Sequence, residues 1–184
     1  MHYILPTFFL FIDNYQEEYI RKLDKKIAII FRNYSIKHDK KLILRIREMC
    51  KRDGRKFYLS NNLKLATSLS LDGVYLPSFN KSLSIINAKI KKKFIIIGSA
   101  HSVPEIKIKE KQGAVAIFIS PIFKTKKNKE FLGPIRFNLL SLITERKIIA
   151  LGGIKVKNLN RLKSTKSYGF AGISYFQNDD KVET

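Results

Sequence analysis

The sequence predicts an α/β fold, a short (β/α)8 TIM barrel whose last helix is truncated or missing, and three observations predict it. Eight short apolar runs recur along the chain at intervals of roughly 20 to 30 residues, the period of a βα unit. The runs are near-continuously apolar, as in IAIIF and AVAIFI, which suits strands buried on both faces of a parallel sheet. A helical pattern fills each interval between them, and little follows the eighth run. Eight such units close into a barrel; an open doubly wound sheet is the alternative. At 184 residues a single domain is expected over 1–177, followed by a frayed polar tail over 178–184.

In order, FFLFID (8–13) reads as the first strand, and Asn14 is positioned to cap a helix over 15–23. IAIIFRN (27–33) is the second strand, ending in Arg32. Asp39 caps KKLILRIREMCKR, in which Leu42, Ile43, Ile46 and Met49 share one face, and Gly54 stops it. KFYLSN is the third strand, with a short helix over 63–71 behind it. DGVYLP (72–77) is the fourth strand, before a short helix over 82–90. FIIIGSA, a helix over 103–112 and AVAIFIS form the fifth and sixth units. Helices over 137–144 and 156–164 flank KIIALGG (147–153), the seventh strand, and GFAGIS (169–174) is the eighth.

Composition bounds the function. The apolar fraction of 45% is ordinary for a globular chain that builds its own core. One cysteine, Cys50, excludes an internal disulfide and a thiol-rich zinc site, and reads as a small apolar residue in a helix. No basic stretch precedes the first apolar run, so the N-terminus is a poor signal peptide. No run approaches the roughly 18 apolar residues that span a bilayer. A cytoplasmic protein with no membrane partner is expected. The 36 Lys+Arg against 15 Asp+Glu give +21. These cations recur in almost every loop and helix and form no aromatic-interleaved block, so nucleic acid is not the expected primary partner. Anionic small molecules such as phosphates fit the same charge.

In a barrel of this kind the site lies at the carboxyl ends of the strands. Those ends carry Asp13, Arg32, Asn61 and Asn62, Tyr75, Ser99 with His101, Thr125, Gly152 and Gly153, and Ile173 with Ser174. Glycines after the seventh strand and a small polar residue after the eighth suit a phosphate, because backbone amides approach its oxygens where no Cβ intervenes. Glycine also ends strands for steric reasons. Imidazole titrates near neutral pH, so His101 is a candidate general acid/base; the bland alternative is a loop histidine with a structural hydrogen bond. Arg32 wants an anionic partner, either Asp13 or a substrate phosphate.

GSAHSVPEIKIKEKQGAVAIFISPIFKTK resembles the central segment of the thiamine phosphate synthase/TenI family. IIALGGI is similar to that family's strand-seven phosphate motif, YGFAGISYF to its strand-eight motif, ATSLSLDGVYLP to its strand-four signature and IIFRNY to its strand-two arginine motif. The order matches across nearly the whole chain. The resemblance implies a barrel that binds a thiazole phosphate. The synthase joins it to hydroxymethylpyrimidine pyrophosphate with Mg2+; TenI-type members tautomerise a thiazole carboxylate phosphate without metal.

Carried over by position, Gly152, Gly153, Ile173 and Ser174 match the thiazole-phosphate residues. Ser99, His101 and Thr125 face substrate, and Arg32 meets pyrophosphate. Asn61, Asn62, Tyr75 and Lys127 complete the expected substrate contacts. The departures are specific. The two magnesium-holding aspartates fall on Asn62 and Asn80, the basic residue after the arginine is Tyr34, and the strand-six lysine aligns only approximately with Lys127 or Lys129. Magnesium is a hard cation held by carboxylates and phosphates. No metal site is therefore expected, and Mg2+ enters only if synthase activity is retained. The expectation is a thiamine-biosynthesis enzyme of TenI type, with His101 as catalytic acid/base. The alternatives are the synthase, or a non-enzymatic phosphate or nucleic-acid binder. The expected partners are a phosphorylated thiazole and, for a synthase, a pyrimidine pyrophosphate; a homodimer is compatible with the chain.

Overall fold

The computed structural model describes residues 5–34, 39–88, 90–126 and 128–177, so the tail over 178–184 and Lys127 lie outside it. Eight parallel strands close into a barrel in sequence order, with β1 paired to both β2 and β8. The strands are β1 (Phe8–Ile12), β2 (Ile27–Phe31), β3 (Phe57–Ser60), β4 (Gly73–Leu76), β5 (Ile95–Ala100), β6 (Ala116–Ile119), β7 (Lys147–Leu151) and β8 (Gly169–Gly172). All eight runs become strands, and closure excludes the open sheet.

Alternation along each strand divides the apolar residues into two sets. Phe9, Phe11, Ile30, Tyr58, Tyr75 and Phe118 point into the barrel. Their neighbours Leu10, Ile29 and Leu59 point outward onto the helices, where they meet Ile43, Ile46 and Met49. Phe118 is central to the interior: its ring lies 5.0 Å from Phe9, 6.0 Å from Phe11 and 5.6 Å from Tyr75, each edge to face. Such pairs contribute about 0.5–1.5 kcal/mol each beyond burial. Glycines let the strands close. A Cβ on Gly73 would lie 2.0 Å from the Ile95 carbonyl oxygen, and one on Gly169 would lie 1.9 Å from that of Thr7.

The helices depart from expectation mainly at their ends. They are α1 (Glu17–Lys22), α2 (Lys40–Arg52), α3 (Leu63–Ser68), α4 (Val103–Lys111), α5 (Gly133–Ser141), α6 (Leu159–Lys163) and α7 (Ser174–Gln177). Asp39 caps α2 as expected, accepting the Lys41 N–H at 2.8 Å. Asn14 caps nothing; Gln16 precedes α1 and supplies no side-chain cap. The helix expected over 82–90 is one 3-10 turn, Ser84–Asn87. The helix expected over 137–144 starts earlier, with Pro134 in its first turn, where a missing N–H costs nothing. The seventh helix divides into a 3-10 turn, Val156–Asn158, and α6. β8 stops at Gly172, so Ser174 opens the single turn of α7 rather than ending the strand. No helix among the described residues is long and apolar enough to cross a membrane. Cys50 is a buried free thiol, and burial pushes it up to about 12.

Candidate active site at the carboxyl mouth

The floor of the mouth is polar but closed. Tyr75 and Ser99 are each 4% exposed and hydrogen-bonded to one another, and burial pushes the Tyr75 phenol up to about 12. Ser60, fully buried at the end of β3, shares a hydrogen bond of 2.9 Å with the Tyr34 hydroxyl. The Tyr34 ring stands edge to face with Phe79 at 5.7 Å, so an aromatic pair bridges the β2 loop and the β4 turn.

His101 follows β5 directly, and two contacts hold it. Its N–H donates to Glu105 Oε2 at 2.6 Å, in the first turn of α4. Its Nδ1 lies 2.7 Å from the Ser120 carbonyl oxygen at the end of β6. A carbonyl only accepts, so Nδ1 carries a proton, and in the neutral form of the ring Nε2 is the acceptor nitrogen. The ring is thus oriented through Nδ1, with Nε2 turned away from that bond, on a residue exposed at the rim.

Arg32 lies just past β2. Its Nε is 3.4 Å from Asp13 Oδ1, and its guanidinium stacks 5.1 Å above the Phe11 ring. Of the two partners expected for it, the structure supplies Asp13. Thr125 closes a turn on Asn128, accepting its N–H at 2.9 Å.

Gly152 and Gly153 both have positive φ, +92° and +71°. A Cβ on Gly152 would sit 2.9 Å from Pro121 Cα, and one on Gly153 would sit 2.5 Å from the carbonyl oxygens of Phe123 and Lys124. The loop after β6 is also stitched down here: Ile122 and Phe123 donate to the Leu151 and Gly152 carbonyls at 2.9 and 3.1 Å. The glycine pair therefore has a packing reason of its own. β8 pairs with β7, which brings Ile173 and the start of α7 at Ser174 beside it. Ile173 is exposed, and the Ser174 side chain is outside the described set.

The β3–β4 edge carries the positions where the resemblance implies metal-binding aspartates. Asn62 caps α3, its Oδ1 accepting the Leu65 N–H at 3.0 Å. Asn61, at φ +56°, accepts the Asn80 amide N–H at 2.7 Å. Asn80 Oδ1 in turn accepts from the Ser82 N–H at 3.1 Å and Gln112 Nε2 at 3.3 Å. Every amide oxygen on this edge already receives a donor, and none of the three side chains bears charge. Among the described residues no cluster of three His, Cys, Asp or Glu is arranged to hold a metal ion. This donor set does not fit Mg2+.

The structure brings His101 to Ser120, Tyr75 to Ser99, Arg32 to Asp13 and Asn61 to Asn80. It does not bring Thr125 into contact with His101. Sequence reasoning missed Ser60, Glu105, Ser120 and the buried pair Lys109 and Gln112. The inward alternation Tyr58–Ser60 and Phe118–Ser120 was the available signal for the two serines.

A family model described as thiamine monophosphate synthase matches residues 18–176. "Putative thiamine-phosphate synthase 2" of Aquifex aeolicus is 30% identical over 94% of this chain and 98% of that protein. The thiamine-phosphate synthase of Haemophilus influenzae strain PittEE is 30% identical over 82% of this chain and 70% of its own length. The solved thiamine phosphate pyrophosphorylase of Pyrococcus furiosus superposes with a TM-score of 0.72 at 19% identity, over 94% of this chain and 88% of that one.

Proposed function

The chain belongs to the thiamine monophosphate synthase (TMP-TENI) family of thiamine biosynthesis, and from that premise we propose that it acts on a thiazole phosphate by TenI-type tautomerisation. The observation that carries this reading is the contrast between two edges of one mouth. The β3–β4 edge offers three neutral amides with occupied oxygens. The β5–β6 edge offers an imidazole with one nitrogen fixed and the other free.

Proton transfer needs an anchor and a base, and no ion. The substrate phosphate lies against Gly152, Gly153 and Ser174, at the loops where barrels recurrently hold phosphate. His101 Nε2 removes a proton from a ring carbon, the ring becomes an imidazolium held by Ser120 O, the electron pair left behind shifts the double bonds, and the proton returns to a carbon conjugated with the first. One proton moves and no bond to the phosphate changes. The protonated Tyr75–Ser99 pair forms a dry floor below the ring. Arg32, Asn61 and Asn62 stand on the β2–β3 side of the mouth, and Thr125 on the loop after β6.

A second reading, the coupling of thiazole phosphate to hydroxymethylpyrimidine pyrophosphate, draws on the synthase names of the relatives. It needs Mg2+ to neutralise a departing pyrophosphate, which the amide edge is poorly made to hold. One experiment separates the two. The protein is incubated with thiazole carboxylate phosphate in D2O, and with both synthase substrates with and without Mg2+. Ring proton exchange without metal, and little or no coupled product, is the expected result. His101→Ala should cut the exchange rate by about 10²–10⁴-fold while the melting temperature holds. Magnesium-dependent product at full rate reverses the assignment, and unchanged exchange in the variant removes His101 from it.

A further inference from the structure

Lys109 sits on α4 with none of its surface exposed. Its stem crosses β5 at Gly98, where a Cβ would lie 2.7 Å from Lys109 Cδ, so the glycine makes the room. No carboxylate forms an ion pair with the ammonium among the described residues. Its three N–H groups meet the Pro77 carbonyl oxygen at 2.8 Å, the Asn80 carbonyl oxygen at 2.7 Å and Gln112 Oε1 at 2.9 Å.

An ammonium has donors only, and this decides the orientation of each amide after it. Gln112 must present its oxygen to Lys109. Its Nε2 therefore donates away, to the Asn80 carbonyl at 3.1 Å, to Asn80 Oδ1 at 3.3 Å and to the Ser82 carbonyl at 2.8 Å. Asn80 Oδ1 also accepts the Ser82 N–H, so Asn80 must donate through Nδ2, and does so to Asn61 Oδ1 at 2.7 Å. Asn61 is exposed at the rim, and its own Nδ2 has no partner among the described residues. The chain of amides thus ends in an N–H.

We infer that Lys109 is a positioning residue that sets the polarity of this relay, so that Asn61 turns its amide N–H to the ligand in the mouth. Such an end selects a hydrogen-bond acceptor, and a ring carboxylate is its best match, because hydrogen bonds to charged groups are the stronger kind. The carboxylate rests on the tautomerase reading; the relay does not. The relay also gives the β3–β4 edge a reason to refuse a cation, because an inverted Asn61 would first have to break its bond to Asn80.

The test uses Lys109→Met, which keeps the stem over Gly98 and removes the donors. Two calorimetric probes are titrated, thiazole carboxylate phosphate and the thiazole phosphate lacking the carboxylate. Side-chain amide exchange at Asn61 and Asn80 is followed by NMR. The relay predicts that affinity for the carboxylate-bearing probe falls about tenfold while the other changes less than twofold. It also predicts that exchange at the Asn80 amide quickens. Equal weakening of both probes assigns Lys109 a purely structural part and overturns the proposal, as does unchanged exchange at Asn80. Should wild-type protein bind neither probe, the functional reading fails, and amide exchange alone decides the relay. Should Lys109→Met not fold, Gln112→Met breaks the same relay one link later and carries the same expectations.

Discussion

Gly153 is fixed by packing alone, whatever binds beside it. At φ +71°, with two carbonyl oxygens 2.5 Å from any added Cβ, it tolerates no side chain whatever binds there. Gly153→Ala should cost about 2–3 kcal/mol, read as a lower denaturation midpoint, and should loosen the β6 loop that lies on it. A Gly-Gly pair at a strand end announced a close approach, and the sequence reading took the approaching group to be a phosphate. On the side where a Cβ would stand, the structure places the chain itself, some thirty residues earlier, a long-range contact no local pattern contains, and the phosphate remains a proposal for the amide side. The place of His101 at the mouth was legible because it follows a buried run, and the structural hydrogen bond offered as its bland explanation is present as well. The alternation Phe118–Ser120 could have placed Ser120 at the mouth, but not its contact with His101, because the group that makes it is a backbone carbonyl. Lys109 was hidden for a different reason: a lysine in a basic helix reads as solvated, and only Gly98 on the facing strand reveals otherwise.

At the scale of elements, strands were legible and helix ends were not. Continuous apolar runs have one good solution in a βα chain, burial on both faces. Helix ends depend on caps, and here several caps are backbone or absent, as at Gln16, Ser102 and Leu132. Asn62 was read as a degenerate ligand position, and it is also the side-chain cap of α3. The contact between α4 and β5 has a measurable consequence. Burial lowers Lys109 from 10.5 to about 8, with Glu105 opposing the shift. The unfolded chain therefore holds more protons than the folded one between those values. The contribution of Lys109 to stability should rise as pH increases from about 8 towards 10.5. Urea titrations across that window should show the rise in wild type and its absence in Lys109→Met.

For the whole molecule, closure into a barrel followed from counting eight units, and the charge followed from composition. The net +21 lies over a chain whose ion pairs are mostly exposed, apart from the one between Arg55 and Asp53. Self-repulsion on this scale opposes compactness and is screened by salt. Raising sodium chloride from about 50 to 500 mM should lift the melting temperature by roughly 2–5 °C. A flat response would mean that the cations are already neutralised by one another's counter-charges.

The bridge of Tyr34 and Phe79 bears on any attempt to rebuild this mouth. It ties the β2 loop to the β4 turn above the end of β3, with the Tyr34 hydroxyl anchored on Ser60. An engineer who placed aspartates at positions 62 and 80 would find both positions already in use. The new carboxylates would replace the cap of α3 and the amide that joins Asn61 to Gln112. Building a metal site on this edge is thus a change of several residues together.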